Sequence, residues 1–124
     1  MDETPIESAA RMEAASLIRD YYAAFNRGDT ETMLKYLTED VIHDINQGER
    51  RQGKDKFRAF NARMTHNYSE ELKDIVVMVS KDATRAAAEF NVHGVYKNND
   101  EGLPPAKGQK YVLPAGTFFA IRDG

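Results

Sequence analysis

Tyr21 lies in the run Tyr21-Tyr22-Ala23-Ala24-Phe25-Asn26-Arg27-Gly28-Asp29, and Asp44 closes the run Glu39-Asp40-Val41-Ile42-His43-Asp44. The order puts a phenol on a core-facing helix and a carboxylate at the end of the first strand, where both can meet in one cavity. A hydrogen-bond donor and an acid sharing a pocket are the equipment of a catalytic site. Each also has a plainer use: a core tyrosine whose hydroxyl finds a nearby carbonyl, and a strand-end aspartate that accepts backbone hydrogen bonds in a turn. A second group is the strand Glu89-Phe90-Asn91-Val92-His93, where Glu89, Asn91 and His93 alternate onto one face and Ala88, Phe90 and Val92 onto the other. Turned inward, the polar row offers an acid, an amide and an imidazole near Asp44, and Asp44 or Glu89 could then activate water that Asn91 or His93 positions. Turned outward, the same row is the wet side of a half-buried antiparallel sheet.

Other polar residues carry less. His43 precedes Asp44, so on a strand the two point to opposite faces. His66 reads as a solvated helix end. No His-x-x-x-His or comparable ligand spacing occurs, so neither a metal nor a cofactor is expected. Arg50, Arg51, Lys54 and Lys56 read as a solvated basic loop and helix start, and Asn98 to Glu101 as a hairpin tip.

The elements that must position these groups follow from periodicity. Thr4-Pro5-Ile6-Glu7 is a capping box with proline at the first helical position. Ala10, Ala14, Leu17, Ile18, Tyr21 and Phe25 then recur at spacings of three and four, one apolar stripe ending before Gly28, with Tyr22 toward its edge. Asp29 or Thr30 caps a short helix carrying Met33, Leu34 and Leu37. Val41 to Ile45 alternates as a strand, and Phe57, Phe60 and Met64 mark a third helix after Gly53. Strands are expected at Asp74 to Ser80, at Thr84 to Tyr96 and, beyond a loop over Asn98 to Gly108, at Gln109 to Ile121, where Pro114 implies an edge position or a bulge. Helices first and antiparallel hairpins later make an α+β domain.

At 124 residues the chain supports one domain. With 41% hydrophobic and 30% charged residues it has the composition of an ordinary globular protein. A net charge of −3 and a pI near 5.6 leave no broad basic surface, so neither nucleic acid nor an anionic membrane is an expected partner. Cysteine is absent, which removes disulfides and thiolate chemistry together. The polar start Met1-Asp2-Glu3 has no basic region leading into an apolar run, and the cytoplasm is the expected location.

The element order, with Tyr21-x-Ala23-Ala24-x-Asn26-x-Gly28-Asp29, Glu39-Asp40-Val41, His43-Asp44, Gly53-Lys54-x-x-Phe57, Gly102-Leu103-Pro104-Pro105-Ala106-Lys107-Gly108 and Phe118-x-x-Ile121-x-Asp123-Gly124, resembles the nuclear transport factor 2-like superfamily, and within it the SnoaL-like and ketosteroid isomerase-related proteins. The resemblance covers nearly the whole chain. It implies a cone: a strongly curved antiparallel sheet with three helices on its concave side. It also implies a homodimer, paired through the outer face of the sheet. The chemistry it implies is proton transfer on a lipophilic carbonyl compound, with Asp44 as general base and Tyr21 as oxyanion donor. Phe25, Phe57, Phe60 and Phe118 would line the pocket and supply the burial that raises the pKa of Asp44, with Glu89, Asn91 and His93 as further contacts. The second oxyanion donor of the isomerases falls on Gly116, which has no side chain to donate. Relatives of this kind continue past the Asp-Gly turn into a final strand, so the resemblance also implies that this sequence stops one strand short. The alternatives are a non-catalytic binding or dimerisation domain and a water-activating hydrolase on the same fold.

Overall fold

The first helix begins on its capping residue. In the computed structural model, which describes residues 4–124, the Thr4 hydroxyl accepts from the Glu7 N–H at 3.1 Å and Pro5 opens α1 (Pro5–Asn26). The polar start Met1 to Glu3 lies outside the described residues. Asp29 caps α2 (Thr30–Lys35), accepting from the Thr32 N–H at 3.1 Å. The two-residue strands β1 (Ile42–His43) and β2 (Arg51–Gln52) pair with each other, and α3 spans Lys54–Asn67. Then come β3 (Tyr68–Val79), β4 (Arg85–Tyr96) and β5 (Gln109–Ala120), an antiparallel sheet in the order β3-β4-β5.

This is the expected α+β architecture, with two departures. The first strand is short and pairs only with β2, so the two-stranded ribbon and the three-stranded sheet remain separate and the sheet is not closed. β3 begins at Tyr68 rather than Asp74. Its first half, Tyr68-Ser69-Glu70-Glu71-Leu72-Lys73, is too polar to announce a strand, yet Leu72 is buried on one face. Between Lys73 and Val76 the pairing slips by one residue, and Asp74 takes a left-handed φ of 58°. This bulge reverses the parity of the strand. Leu72 faces the core before it and Ile75, Val77 and Val79 after it, leaving Val76 and Met78 outside.

α1 lies across the inward face of this sheet, packed chiefly on β3. Ile18 and Tyr22 meet Leu72, Ala86, Ala88 and Val92 in one cluster, while Ala24 meets Met33, Leu34 and Phe57 in a second. The buried row of α1 is Ala14, Ile18, Tyr22 rather than a stripe centred on Tyr21. Tyr22, expected at the edge, is therefore core, because an i, i+4 row points at the sheet where a helix crosses it. Pro114 sits in β5 at the edge of the sheet, where the missing N–H costs least.

Candidate active site

A cavity of about 710 Å³ opens between the second half of α1, the segment running from the end of α2 to Ile42, and the end of β5. Leu17, Ile18, Val41, Ile42, Phe119 and Ile121 give it an apolar wall, and Tyr21 stands in that wall. The Tyr21 ring meets Tyr22 edge-on at 5.1 Å and Phe119 at 6.2 Å, while its hydroxyl bonds to no other described residue. Burial, and then the neighbouring Tyr22 phenol, push its pKa well above the ordinary value. It is a neutral donor over the whole physiological range, with its hydrogen bond unspent.

Tyr22 is only 6% exposed, and its hydroxyl donates to Thr117 Oγ1 at 2.8 Å. Burial lifts its pKa to about 12, the Thr117 bond pulling the other way. At the mouth of the cavity the Arg122 guanidinium donates to Asp40 Oδ1 at 2.8 Å, joining the end of β5 to the loop after α2. That hydrogen bond, with help from Thr38, holds the Asp40 carboxyl below the usual carboxylate range.

Asp44 is where the expectation of a buried base fails. Its side chain is 50% exposed and does not border the cavity, and Arg50 grips both its oxygens, Nε at 2.9 Å and Nη2 at 2.8 Å. The pKa is lowered, by the Arg50 hydrogen bonds first and the guanidinium charge as well, and is not raised by desolvation. The turn through Asn46, with a φ of 50°, and Gly48 folds Arg50 back onto it. His43, pointing the other way, packs on Phe57 at 4.9 Å and Phe60 at 5.2 Å, with its Nδ1 buried and without a hydrogen-bond partner among the described residues.

The other expected contacts scatter. Phe25 packs between the two core clusters and Phe57 is buried under α2, so both are core residues. Phe60 lies beneath the Arg51 guanidinium, 4.6 Å from its ring centre, away from the cavity. Phe118 borders the cavity, but its side chain is 85% exposed on the outward face, and it is Phe119 whose ring meets Tyr21. The row Glu89, Asn91, His93 also faces outward, since Ala88 and Val92 are the residues buried against α1. Asn91 spends its amide on Asp74 at 3.0 Å. The outward turn removes the groups that would position water for the hydrolase reading. Gly116, paired with Glu89, shares that outward face, so the inward station belongs to its neighbour Thr117, paired with the core residue Ala88.

Sequence reasoning missed Tyr22, Thr117, Phe119 and the Asp40–Arg122 pair. For β5 the signal was present, because the parity that puts Ala88 and Val92 inside also puts Thr117 and Phe119 inside once the register is known. Among the described residues no group of three or more His, Cys, Asp or Glu is placed to hold a metal ion, and no helix is long and apolar enough to cross a membrane.

The SnoaL-like domain family matches residues 18–124. A crystal structure of a candidate polyketide cyclase from Xanthomonas campestris pv. campestris is 54% identical, with a TM-score of 0.90 over 93% of this chain and 85% of that one. Another, from Pseudomonas putida KT2440, is 60% identical, with a TM-score of 0.87 over 90% of this chain and 84% of that one. A third, from Silicibacter sp. TM1040, is 55% identical, with a TM-score of 0.87 over 90% and 81%. None of the curated proteins compared matches the chain.

Proposed function

Because the chain belongs to the SnoaL-like domain family, we propose that it is a small-molecule enzyme that moves a proton on a lipophilic carbonyl compound held against Tyr21, as isomerases and cyclases do. One observation carries this reading: a neutral phenol that bonds to no other described residue stands in the apolar wall of a cavity of about 710 Å³. A phenol so placed donates to the oxygen on which charge develops as an enolate forms, and dry surroundings strengthen that bond. The structures 54% to 60% identical are candidate polyketide cyclases, which fits. A polyketide carries carbonyls flanked by acidic C–H bonds, and ring closure on it begins with a proton transfer of this type.

The proton acceptor is one of two carboxylates. Asp40, already at the cavity mouth, must exchange Arg122 for the substrate, and Asp44 must both exchange Arg50 and move toward a cavity it does not border. Both are held ionised by their arginines, so both are charged at neutral pH, though weaker bases than a desolvated carboxylate would be. The test is solvent deuterium exchange into an enolisable ketone that the protein binds, followed by NMR. Tyr21→Phe should slow exchange roughly ten- to a thousandfold, the scale of losing one oxyanion donor. The base is whichever of Asp44→Asn and Asp40→Asn abolishes exchange with binding kept. If the wild type exchanges no proton of any enolisable ketone it binds, the protein is a ligand-binding module.

The same reading includes a homodimer formed through the outward face of the sheet. Val76, Met78, Val112 and Phe118 are exposed there, an apolar surface for a second copy to cover.

A further inference from the structure

We propose that Thr117, polarised by Tyr22, is a second hydrogen-bond donor to the ligand: an apolar compound seated in the cavity against Tyr21 reaches past Phe119 to Thr117, which lies just outside the cavity lining, and so carries two oxygen functions. The proposal rests on the reading of Tyr21 given above and adds the substrate class.

Thr117 Oγ1 accepts from the Tyr22 phenol at 2.8 Å. A threonine hydroxyl has one proton to give, and no described residue receives it. Accepting a hydrogen bond makes a hydroxyl a better donor, the more so in surroundings of low dielectric. Tyr22 is nearly sealed from solvent, and its bond to Thr117 is therefore held in one geometry.

Access comes next. Thr117 is on the inward face of β5 but is not sealed. Leu113, on the same face four residues earlier, is 53% exposed, because α1 crosses chiefly over β3 and leaves this stretch of β5 uncovered. Phe119 links the two stations: its ring meets Tyr21 at 6.2 Å and Tyr22 at 6.1 Å. Thr117 lies two residues before it on the same face, about 6.6 Å along the strand. A flat ligand that leaves the cavity over the Phe119 ring passes from the Tyr21 hydroxyl toward that of Thr117. One ring system with oxygens at two ends meets both donors.

Two fluorescent probes test this, 2-naphthol and 2,6-dihydroxynaphthalene, titrated against the wild type and variants whose fold is checked by circular dichroism. In the wild type the dihydroxy probe should bind about 4- to 20-fold more tightly. That is the twofold statistical gain of two equivalent hydroxyls multiplied by about 2- to 10-fold for one net hydrogen bond. Thr117→Val should reduce the advantage to that twofold, with Thr117→Ala used if the valine variant does not fold, and Thr117→Ser should keep it. Tyr22→Phe, which leaves the Thr117 hydroxyl in place without its donor, should fall between. Tyr21→Phe should weaken both probes alike. An unchanged advantage in Thr117→Val, with both probes weakened by Tyr21→Phe, overturns the Thr117 assignment and leaves the Tyr21 reading standing. An unchanged advantage in Tyr22→Phe overturns the polarising role. If neither probe binds, or Tyr21→Phe affects neither, both readings fall.

Discussion

Single side chains here are governed by their immediate partners more than by their place in a motif. Asp44 has the sequence position of a catalytic base, yet a bidentate arginine six residues on makes it an ordinary surface ion pair, of the kind that contributes little to stability. The tyrosines are the reverse: burial raises Tyr21, Tyr22 and Tyr111, and burial with an Asp100 partner raises Tyr68. These shifts make a pH prediction with a definite sign. Below pH 10 both folded and unfolded chains hold their phenolic protons, and the stability from burying neutral phenols is fully present. As pH rises from 10 toward about 12 the unfolded chain loses protons that folded Tyr22 keeps, so stability must fall through that window. Denaturant unfolding at stepped pH checks this, and Tyr22→Phe should make the decline shallower without removing it. A flat profile between pH 9 and 12 would contradict the burial of these rings.

At the scale of elements, local signals and tertiary demands mostly agree. Thr4 and Asp29 cap their helices as their residue types suggest, and substituting Asp29 by alanine would remove a cap of the usual worth, about 1 kcal/mol. The exceptions lie in the strands. The bulge at Asp74 cannot be read from a run of alternating residues, because it is the pairing with β4 that counts one residue of β3 as extra. Gly94 is a second case. A β-carbon there would overlap the Tyr111 ring, which lies flat across the glycine from the paired position on β5 and donates from its hydroxyl to Glu70 Oε2 at 2.6 Å. Gly94→Ala must displace that ring and break the bond to Glu70. The expected loss is about 1–3 kcal/mol, read from thermal or denaturant unfolding, and Tyr111→Ala in the same background should relieve part of it. If Gly94→Ala is neutral, the ring is not held there.

Over the whole molecule the two faces of the sheet divide the work. The inward face holds α1, the core and the cavity, while the outward face carries Val76, Met78, Val112 and Phe118 beside Glu89, Asn91 and His93. If a second copy covers the outward face, Phe118→Glu should shift the protein from dimer to monomer in light scattering at tens of micromolar while leaving the circular dichroism spectrum intact. Wild-type monomer under those conditions would dismiss the interface. Much of this organisation is legible without coordinates. The helix starts, the α+β order, the strand limits from Thr84 onward and the edge place of Pro114 depend on nearest neighbours in the chain, on caps, periods of 3.6 and 2, and turn residues. The site is a different matter. Period-2 alternation separates Glu89, Asn91 and His93 from Ala88, Phe90 and Val92 but is silent on which set meets the helix, for the two faces are equivalent until something packs on one. Likewise the choice of Phe119 over Phe118, of Thr117 over Gly116 and of Tyr22 as core depends on register between strands and on the line along which α1 crosses them. Those are contacts between residues as much as 95 positions apart, as in the bond from Tyr22 to Thr117. Local patterns along the chain set most of the elements and put a phenol on a core helix. Which side chains share the cavity with that phenol follows from packing alone, because burial and partnership are properties of packed pairs and not of positions along the chain.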